Sequence, residues 1–279
     1  RIGAARYDTM TTSVLTTVLT TTLGFSSRAS PQFAHSALSG ARASTFAATL
    51  SAVSRTPPQL VHRALSSAGR SGPTMAAVDP AAFEAVVKAR YSCKVYSDKD
   101  VPDELLRKVL ELTQRAPTSF NTQPWVAIVV RSEEAKAKLA EAMMEGNRPK
   151  VLTAPATVVF GADMQPEKLL ADDVPDFVKQ MLPVFVEQCS TPEAWAFKQV
   201  GLVAQTFMLA AAANGIGTCP MEGYTSIPDV CDAVGLDKAR YSAPIVVSLG
   251  YEASPPPEKP STRYDFAAQI FKDQVGKPF

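Results

Sequence analysis

The chain has 279 residues, of which 46% are hydrophobic and 20% charged, and its net charge is +1. That size and balance are typical of a globular protein with one large domain or two small ones. No run of apolar residues predicts a membrane span, and the charge does not indicate a nucleic-acid partner.

The first 74 residues differ in composition from the rest. They hold seven arginines, no lysine and one acidic residue, Asp8, and they are rich in Ser, Thr and Ala. They therefore carry +6, and subtracting this from the total of +1 leaves about −5 on residues 75–279. An arginine-rich, acid-poor leader predicts an organelle transit peptide, for a mitochondrion or a plastid. The alternatives are a disordered tail of no consequence and a true start at Met75, which would make the protein cytoplasmic.

Residues 75–279 contain no histidine, because His35 and His62 both lie in the leader. This excludes Ser-His-Asp and Cys-His catalysis there, together with every histidine-containing metal site. The four cysteines form no C-x-x-C pair, which argues against a zinc cluster or a disulfide framework. Cys93, beside Lys94, is either an activated thiolate or a small residue filling a motif, and we favour the second. Such a domain is expected to take its chemistry from a cofactor.

The predicted elements alternate between helices and β-branched strands. Asp79 and Ser132 are expected N-caps of helices over 80–89 and 133–145. The other predicted helices cover 102–115, 194–213 and 227–234, and the strands 126–130, 156–161 and 245–250. Prolines interrupt 163–192, which predicts irregular helices around a mobile lid. This alternation predicts one α+β domain.

The predicted helix 194–213 is apolar on almost every face, so we expect it to be buried on most sides and to form the core of a subunit interface. Gly215 and Gly217 are expected to end it in a tight turn that leads into residues 218–223.

Two polar segments are the strongest candidates for a binding site. Ala116-Pro-Thr-Ser-Phe-Asn-Thr-Gln-Pro-Trp125 crowds hydroxyl and amide side chains just before a strand, in a loop that two prolines should hold extended. Arg90-Tyr-Ser-Cys-Lys94 puts two cations and a hydroxyl at alternate positions, which share one face of an extended segment. In isolation this is more often a solvated basic strand end. Together the two segments predict a site for a planar ligand that carries a phosphate.

These segments resemble the FMN-dependent nitroreductases, with R-x-S-x-K/R followed by A-P-[ST]-x-x-N-x-Q-P-W. The resemblance covers residues 79–279 and continues through Gly146-Asn-Arg-Pro-Lys150, Trp195-Ala-Phe-Lys-Gln-Val200, Asn214-Gly-Ile-Gly-Thr-Cys-Pro-Met-Glu-Gly223 and Lys259-Pro-Ser-Thr-Arg263. It implies a mixed sheet flanked by helices. It also implies an obligate homodimer with an interface helix and a C-terminal extension.

The resemblance further implies which residues bind FMN. The phosphate would be bound by Arg90, Ser92 and Arg263, while Lys94 would stabilise negative charge at the N1/C2=O edge. The spacing to Lys259 is longer than the family's Lys-x-Arg, so only Arg263 is carried over. Thr118 stands where the family most often has Ser. The remaining residues are Tyr91, then Asn147 and Lys150 at the pyrimidine edge, then Pro117, Thr118, Ser119 and Asn121 from the partner subunit, and finally Pro220, Met221, Glu222 and Gly223 beside the ring.

The activity that the resemblance implies is an FMN-dependent oxidoreductase that consumes NAD(P)H. Hydride would pass through flavin N5 to a nitroaromatic, a quinone or a similar small acceptor in a ping-pong cycle. A backbone N–H of Glu222 or Gly223 would face N5, and no side chain would act as acid or base. The alternatives are a flavin-binding protein without turnover, reductive dehalogenation and flavin fragmentation.

Overall fold

The computed structural model describes residues 79–165, 174–188 and 191–279, so the predicted transit peptide at 1–74 lies outside the described residues. The helices there are α1 (Pro80–Ala89), α2 (Asp103–Thr113), α3 (Glu133–Glu141), α4 (Arg148–Thr153), α5 (Asp176–Gln188), α6 (Pro192–Ala213), α7 (Ile227–Val234) and α8 (Phe266–Gln269). The strands are β1 (Trp125–Val130), β2 (Ala156–Asp163), β3 (Gly217–Met221) and β4 (Tyr241–Gly250). The prediction of an α+β fold is confirmed.

The four strands form one sheet in the order β1-β2-β4-β3, and each neighbouring pair is antiparallel. Side chains alternate between its two faces because successive residues of a strand point to opposite sides. Val158 and Phe160 pack into the core beneath α2 and α6, whereas Val159 packs into a second core with α3, α4 and α7. Ser92 adds one parallel bridge, to Thr218, at the outer edge of β3.

Helix α6 crosses one face of the sheet. The side chain of Thr191 caps its first turn, and Gly215 follows its end with a φ of 73°. By length and composition alone α6 is apolar enough to span a membrane, a property that core helices share, and 44% of its most apolar stretch is buried inside this fold. Phe207 meets Phe160 of β2 edge-on, with ring centroids 5.4 Å apart. Leu202 stays 48% exposed, so one side of the helix remains uncovered.

The sequence pattern misplaced one helix end and missed one strand, because long-range pairing overrides the local pattern. The helix predicted through Glu145 ends at Glu141, where residues 142–144 begin to pair with the 223–225 segment. No strand was predicted after the turn at Gly215, but Gly217–Met221 form β3, which pairs with β4. In the region predicted as an irregular lid, α5 continues through Pro183, and residues 166–173 and 189–190 lie outside the described residues.

Tyr96 attaches the segment that follows α1 to the sheet. Its buried hydroxyl lies 2.9 Å from the carbonyl oxygen of Cys93, 3.0 Å from that of Ser248 and 2.8 Å from Ser248 Oγ. Burial raises the pKa of Tyr96, so the hydroxyl stays neutral and can donate. The backbone N–H of Cys93 donates to Thr218 at 2.9 Å. Residues 90–94 are therefore fixed along the edge of β3.

We expect Tyr96→Phe to lower the free energy of unfolding by about 1–3 kcal/mol, because buried acceptors of Cys93 and Ser248 lose their partner. Denaturant unfolding of the two proteins measures the difference. Tyr264→Phe is the matched control, since Tyr264 is 77% exposed. Equal effects of the two substitutions would show that the Tyr96 hydroxyl does not anchor the segment.

Candidate functional site

The basic segment adopts the predicted alternation. Ser92 and Lys94 are exposed, Cys93 between them is buried, and Arg90 is half-buried at the C-cap of α1. The Cys93 thiol lies 3.3 Å from the carbonyl of Val95, and burial raises its pKa. An activated thiolate at Cys93 is therefore not supported, and the residue is a packed thiol under the segment.

A second group of predicted residues meets at the end of β3. The Asn147 amide nitrogen donates to the carbonyl of Gly223 at 2.8 Å, and Lys150 Nζ donates to Asn147 Oδ1 at 2.6 Å. The backbone N–H of Met144 also donates to Gly223, at 3.0 Å. The positive charge of Lys150 thus meets a neutral amide oxygen and orients the side chain of Asn147.

Three cations from these separate segments surround β3. Burial raises the pKa of the Cys219 thiol, and the charges of Lys150, Lys94 and Arg90 act on it in the opposite direction. Across the described ranges no salt bridge involves any of these three cations. The edge of β3 therefore carries uncompensated positive charge, which suits an anionic ligand.

Neighbouring side chains leave no room for a Cβ at Gly223. A Cβ at this position would lie 2.7 Å from Asn147 Nδ2 and 3.5 Å from the sulfur of Met144. The first distance is shorter than real Cβ contacts, so a side chain at residue 223 would displace the Asn147 amide. The glycine is required by the protein's own packing beside the site.

We expect Gly223→Ala to weaken ligand binding about tenfold, because displacing Asn147 breaks its bond to residue 223 and frees Lys150. Isothermal titration with the ligand proposed below measures this. Gly146→Ala is the matched control nearby, since a Cβ there meets nothing within 4 Å. If both variants bind as the parent does, Asn147 does not help to form the site.

The side chain of Tyr91 packs behind the basic segment and supports it. Burial and the neighbouring Glu252 carboxylate raise the pKa of the Tyr91 hydroxyl. The side chain packs on the small cluster of Cys93, Tyr96 and Ala154. Any contact of Tyr91 with a ligand is therefore expected from its backbone.

The predicted loop 117–121 lies on α6 instead of extending freely. Ser119–Asn121 form a 3-10 turn, and Ser119 N–H donates to Gln199 Oε1 of α6 at 2.9 Å. Phe120 and Asn121 have φ values of 52° and 55°. Gln199 therefore holds this loop against α6 through the backbone of Ser119.

The guanidinium of Arg263 forms hydrogen bonds within its own segment of the chain. It donates to the carbonyl oxygens of Ser261 and Thr262, both at 3.0 Å, in an exposed tail. Two cavities of about 430 and 910 Å³ lie elsewhere, beside Lys136 and between α2 and α3. Neither is lined by a predicted site residue. The three cations around β3 therefore line neither cavity.

Sequence reasoning missed two residues that build this site. Thr218 supplies the backbone that aligns Ser92, and Gln199 holds Ser119. The sequence offered one weak signal for each residue. Gln199 lies within a motif, and Thr218 follows a pair of glycines.

Comparison with known proteins identifies the family. The model of the nitroreductase family matches residues 87–251, which is more than half of the chain. The chain belongs to the nitroreductase family. A relative from Stenotrophomonas maltophilia, named "Putative NADH dehydrogenase/NAD(P)H nitroreductase", is 31% identical over 212 residues, which cover 70% of this chain and 98% of the relative. The chain is accordingly an oxidoreductase of this family.

Solved structures agree with the fold. One from Exiguobacterium sibiricum, described as "a putative nitroreductase in complex with FMN", is 30% identical with a TM-score of 0.57 and covers 69% of this chain and 96% of its own. A nitroreductase family protein from Streptococcus pneumoniae is 23% identical with a TM-score of 0.61 and covers 68% and 99%. The second likeness supports the nitroreductase fold alone.

Proposed function

We propose that this protein binds FMN at the edge of β3 and transfers reducing equivalents from NAD(P)H to a small electron acceptor. The observation that carries the proposal is the group of three cations, Arg90, Lys94 and Lys150, around one strand edge without a carboxylate partner in the described part of the chain. The FMN complex of the relative from Exiguobacterium sibiricum supports the choice of cofactor.

The residues present fit FMN. A phosphate needs cationic donors, and Arg90 offers a bidentate fork with Ser92 exposed beside it. A flavin ring needs polar atoms at one edge, and Lys150 and Asn147 lie together there with fixed orientation. When bound, FMN would supply the two-electron chemistry that accepts hydride and passes it on.

The residues of the chain would bind and orient the cofactor, and none of them would transfer a proton. Lys94 and Lys150 place positive charge where negative charge would develop on the ring, which favours the reduced cofactor. Residues 79–279 contain no histidine that could act as a general base. The backbone of Glu222 and Gly223, held by Asn147 and Met144, supplies N–H groups beside the site.

We also propose that the site is completed by a second copy of the chain. Helix α1 has no buried residue, and its Phe83 is 60% exposed. The tail from residue 252 onwards is largely exposed and carries Phe266 and Phe279, 63% and 81% exposed. These apolar surfaces need a partner, and a homodimer would bring loop 117–121 to the partner's cations.

Steady-state oxidation of NADPH and of NADH, with and without a nitroaromatic acceptor, tests the proposed reaction. We expect reductant consumption to depend on FMN and to rise when the acceptor is added. A protein that binds FMN but oxidises neither reductant would instead be a flavin-binding protein without turnover, and the proposed activity would be wrong.

The localisation proposal is separate. The excess of arginine over acid in residues 1–74 supports a transit peptide for a mitochondrion or a plastid. A fluorescent reporter fused to residues 1–74 should enter an organelle, whereas a purely cytosolic signal would favour Met75 as the start.

A further inference from the structure

The loop before β1 contains an unusual run of backbone conformations. Phe120, Asn121 and Gln123 have φ values of 52°, 55° and 46°, a left-handed region that residues with a Cβ rarely occupy. Three such residues within four positions are retained only when the surroundings hold them in place. The shape of this turn therefore depends on specific contacts.

Two of those contacts are local. Thr122 Oγ1 donates to the carbonyl of Ser119 at 2.8 Å, and Gln123 N–H donates to Thr118 Oγ1 at 3.1 Å. These bonds close the turn upon itself. They do not determine where the turn lies relative to the rest of the protein.

Gln199 supplies that placement. Its Oε1 accepts the backbone N–H of Ser119 at 2.9 Å, from a position in α6 where the residue is only 7% exposed. Its Nε2 lies 3.5 Å from the carbonyl of Trp195, one turn earlier, which orients the amide. A buried glutamine on a core helix is thus aimed at the backbone of a surface turn.

We propose that Gln199 is a positioning residue for the flavin site: it fixes the turn 119–121 so that Ser119 and Asn121 can cover the cofactor bound by the partner subunit. This rests on the FMN-binding homodimer proposed above. Helix α6 then has two roles. It carries the uncovered face at Leu202, and it sets the position of the covering loop.

Two substitutions test the role. Gln199→Met keeps the side-chain length but removes the acceptor, so the FMN dissociation constant should rise about tenfold, the effect of losing one hydrogen bond. Gln114→Met, at an exposed glutamine after α2, should leave binding unchanged. The measurement is quenching of FMN fluorescence in the dimeric protein.

A surface variant provides a second route that leaves the core intact. Ser119→Pro removes the donor N–H at a position preceded by an extended residue, Thr118, which proline accepts. It should weaken FMN binding about as much as Gln199→Met does. The double variant should bind FMN no more weakly than Ser119→Pro alone, because both substitutions remove the same hydrogen bond.

An unchanged dissociation constant in Gln199→Met, or multiplied effects in the double variant, would overturn the role of Gln199. Failure of the parent protein to bind FMN would instead refute the proposed function. The two failures are therefore distinguishable in the same titration.

Discussion

Leu202→Asp is expected to abolish the homodimer and, with it, tight binding of FMN. Leu202 is 48% exposed on α6, so the folded chain tolerates a charge there, but an apolar subunit interface does not. Burying an unpaired carboxylate costs about 3 kcal/mol or more, which raises the dimer dissociation constant at least about a hundredfold. Because the partner is proposed to supply loop 117–121 to each site, assembly and FMN binding should weaken together. Analytical ultracentrifugation and flavin titration measure the two effects.

Leu152→Asp is the control for that experiment. Leu152 is 44% exposed on α4, on the side of the sheet opposite α6, so its charge should leave assembly intact. A Leu202→Asp protein that is monomeric but binds FMN with the parent's affinity would show that one chain forms the whole site. A Leu202→Asp protein that stays dimeric would remove α6 from the interface.

Arg90→Ala should weaken FMN binding by about 1.5–3 kcal/mol, the contribution of a charge-assisted hydrogen bond. The dissociation constant should then rise roughly 10- to 150-fold. The guanidinium has no carboxylate partner among the described residues, so its removal should not destabilise the chain through a broken ion pair. Titration of the apoprotein with FMN measures the change.

Arg107→Ala is the matched substitution, because Arg107 is exposed and pairs only with Glu111 one turn along α2. It should leave FMN affinity unchanged and cost little stability. Equal affinities of the Arg90 and Arg107 variants would place the phosphate elsewhere.

Local chemistry explains which parts of the fold were predictable. Asp79 and Ser132 accept hydrogen bonds from Ala81 and Ala135 as N-caps should, and the predicted starts of α1 and α3 were right. The end of α3 depends on residues about eighty positions away, at 223–225, which compete for its last turn. No periodicity within α3 could have revealed that competition.

Some parts of the candidate site also follow from a local pattern, and others depend on the full topology. Alternation alone predicted that Ser92 and Lys94 would share a face, because this is a property of any extended segment. That Lys150 would join them depends on β3 lying at the sheet edge, which only the full topology determines. The contact between Gly223 and the amide of Asn147 joins residues 76 positions apart, so the sequence alone could not reveal it. The placement of loop 117–121 depends on Gln199 of α6, 80 positions along the chain, which no local pattern reveals.

The central claim is that FMN binds to the cations around β3, and the chromophore of the purified protein tests it most directly. We expect a yellow homodimer that releases FMN on denaturation, with one FMN per chain by absorbance and mass spectrometry, and with bound flavin greatly reduced in Arg90→Ala. FAD as the released flavin, or no bound flavin after reconstitution with excess FMN, would contradict the account.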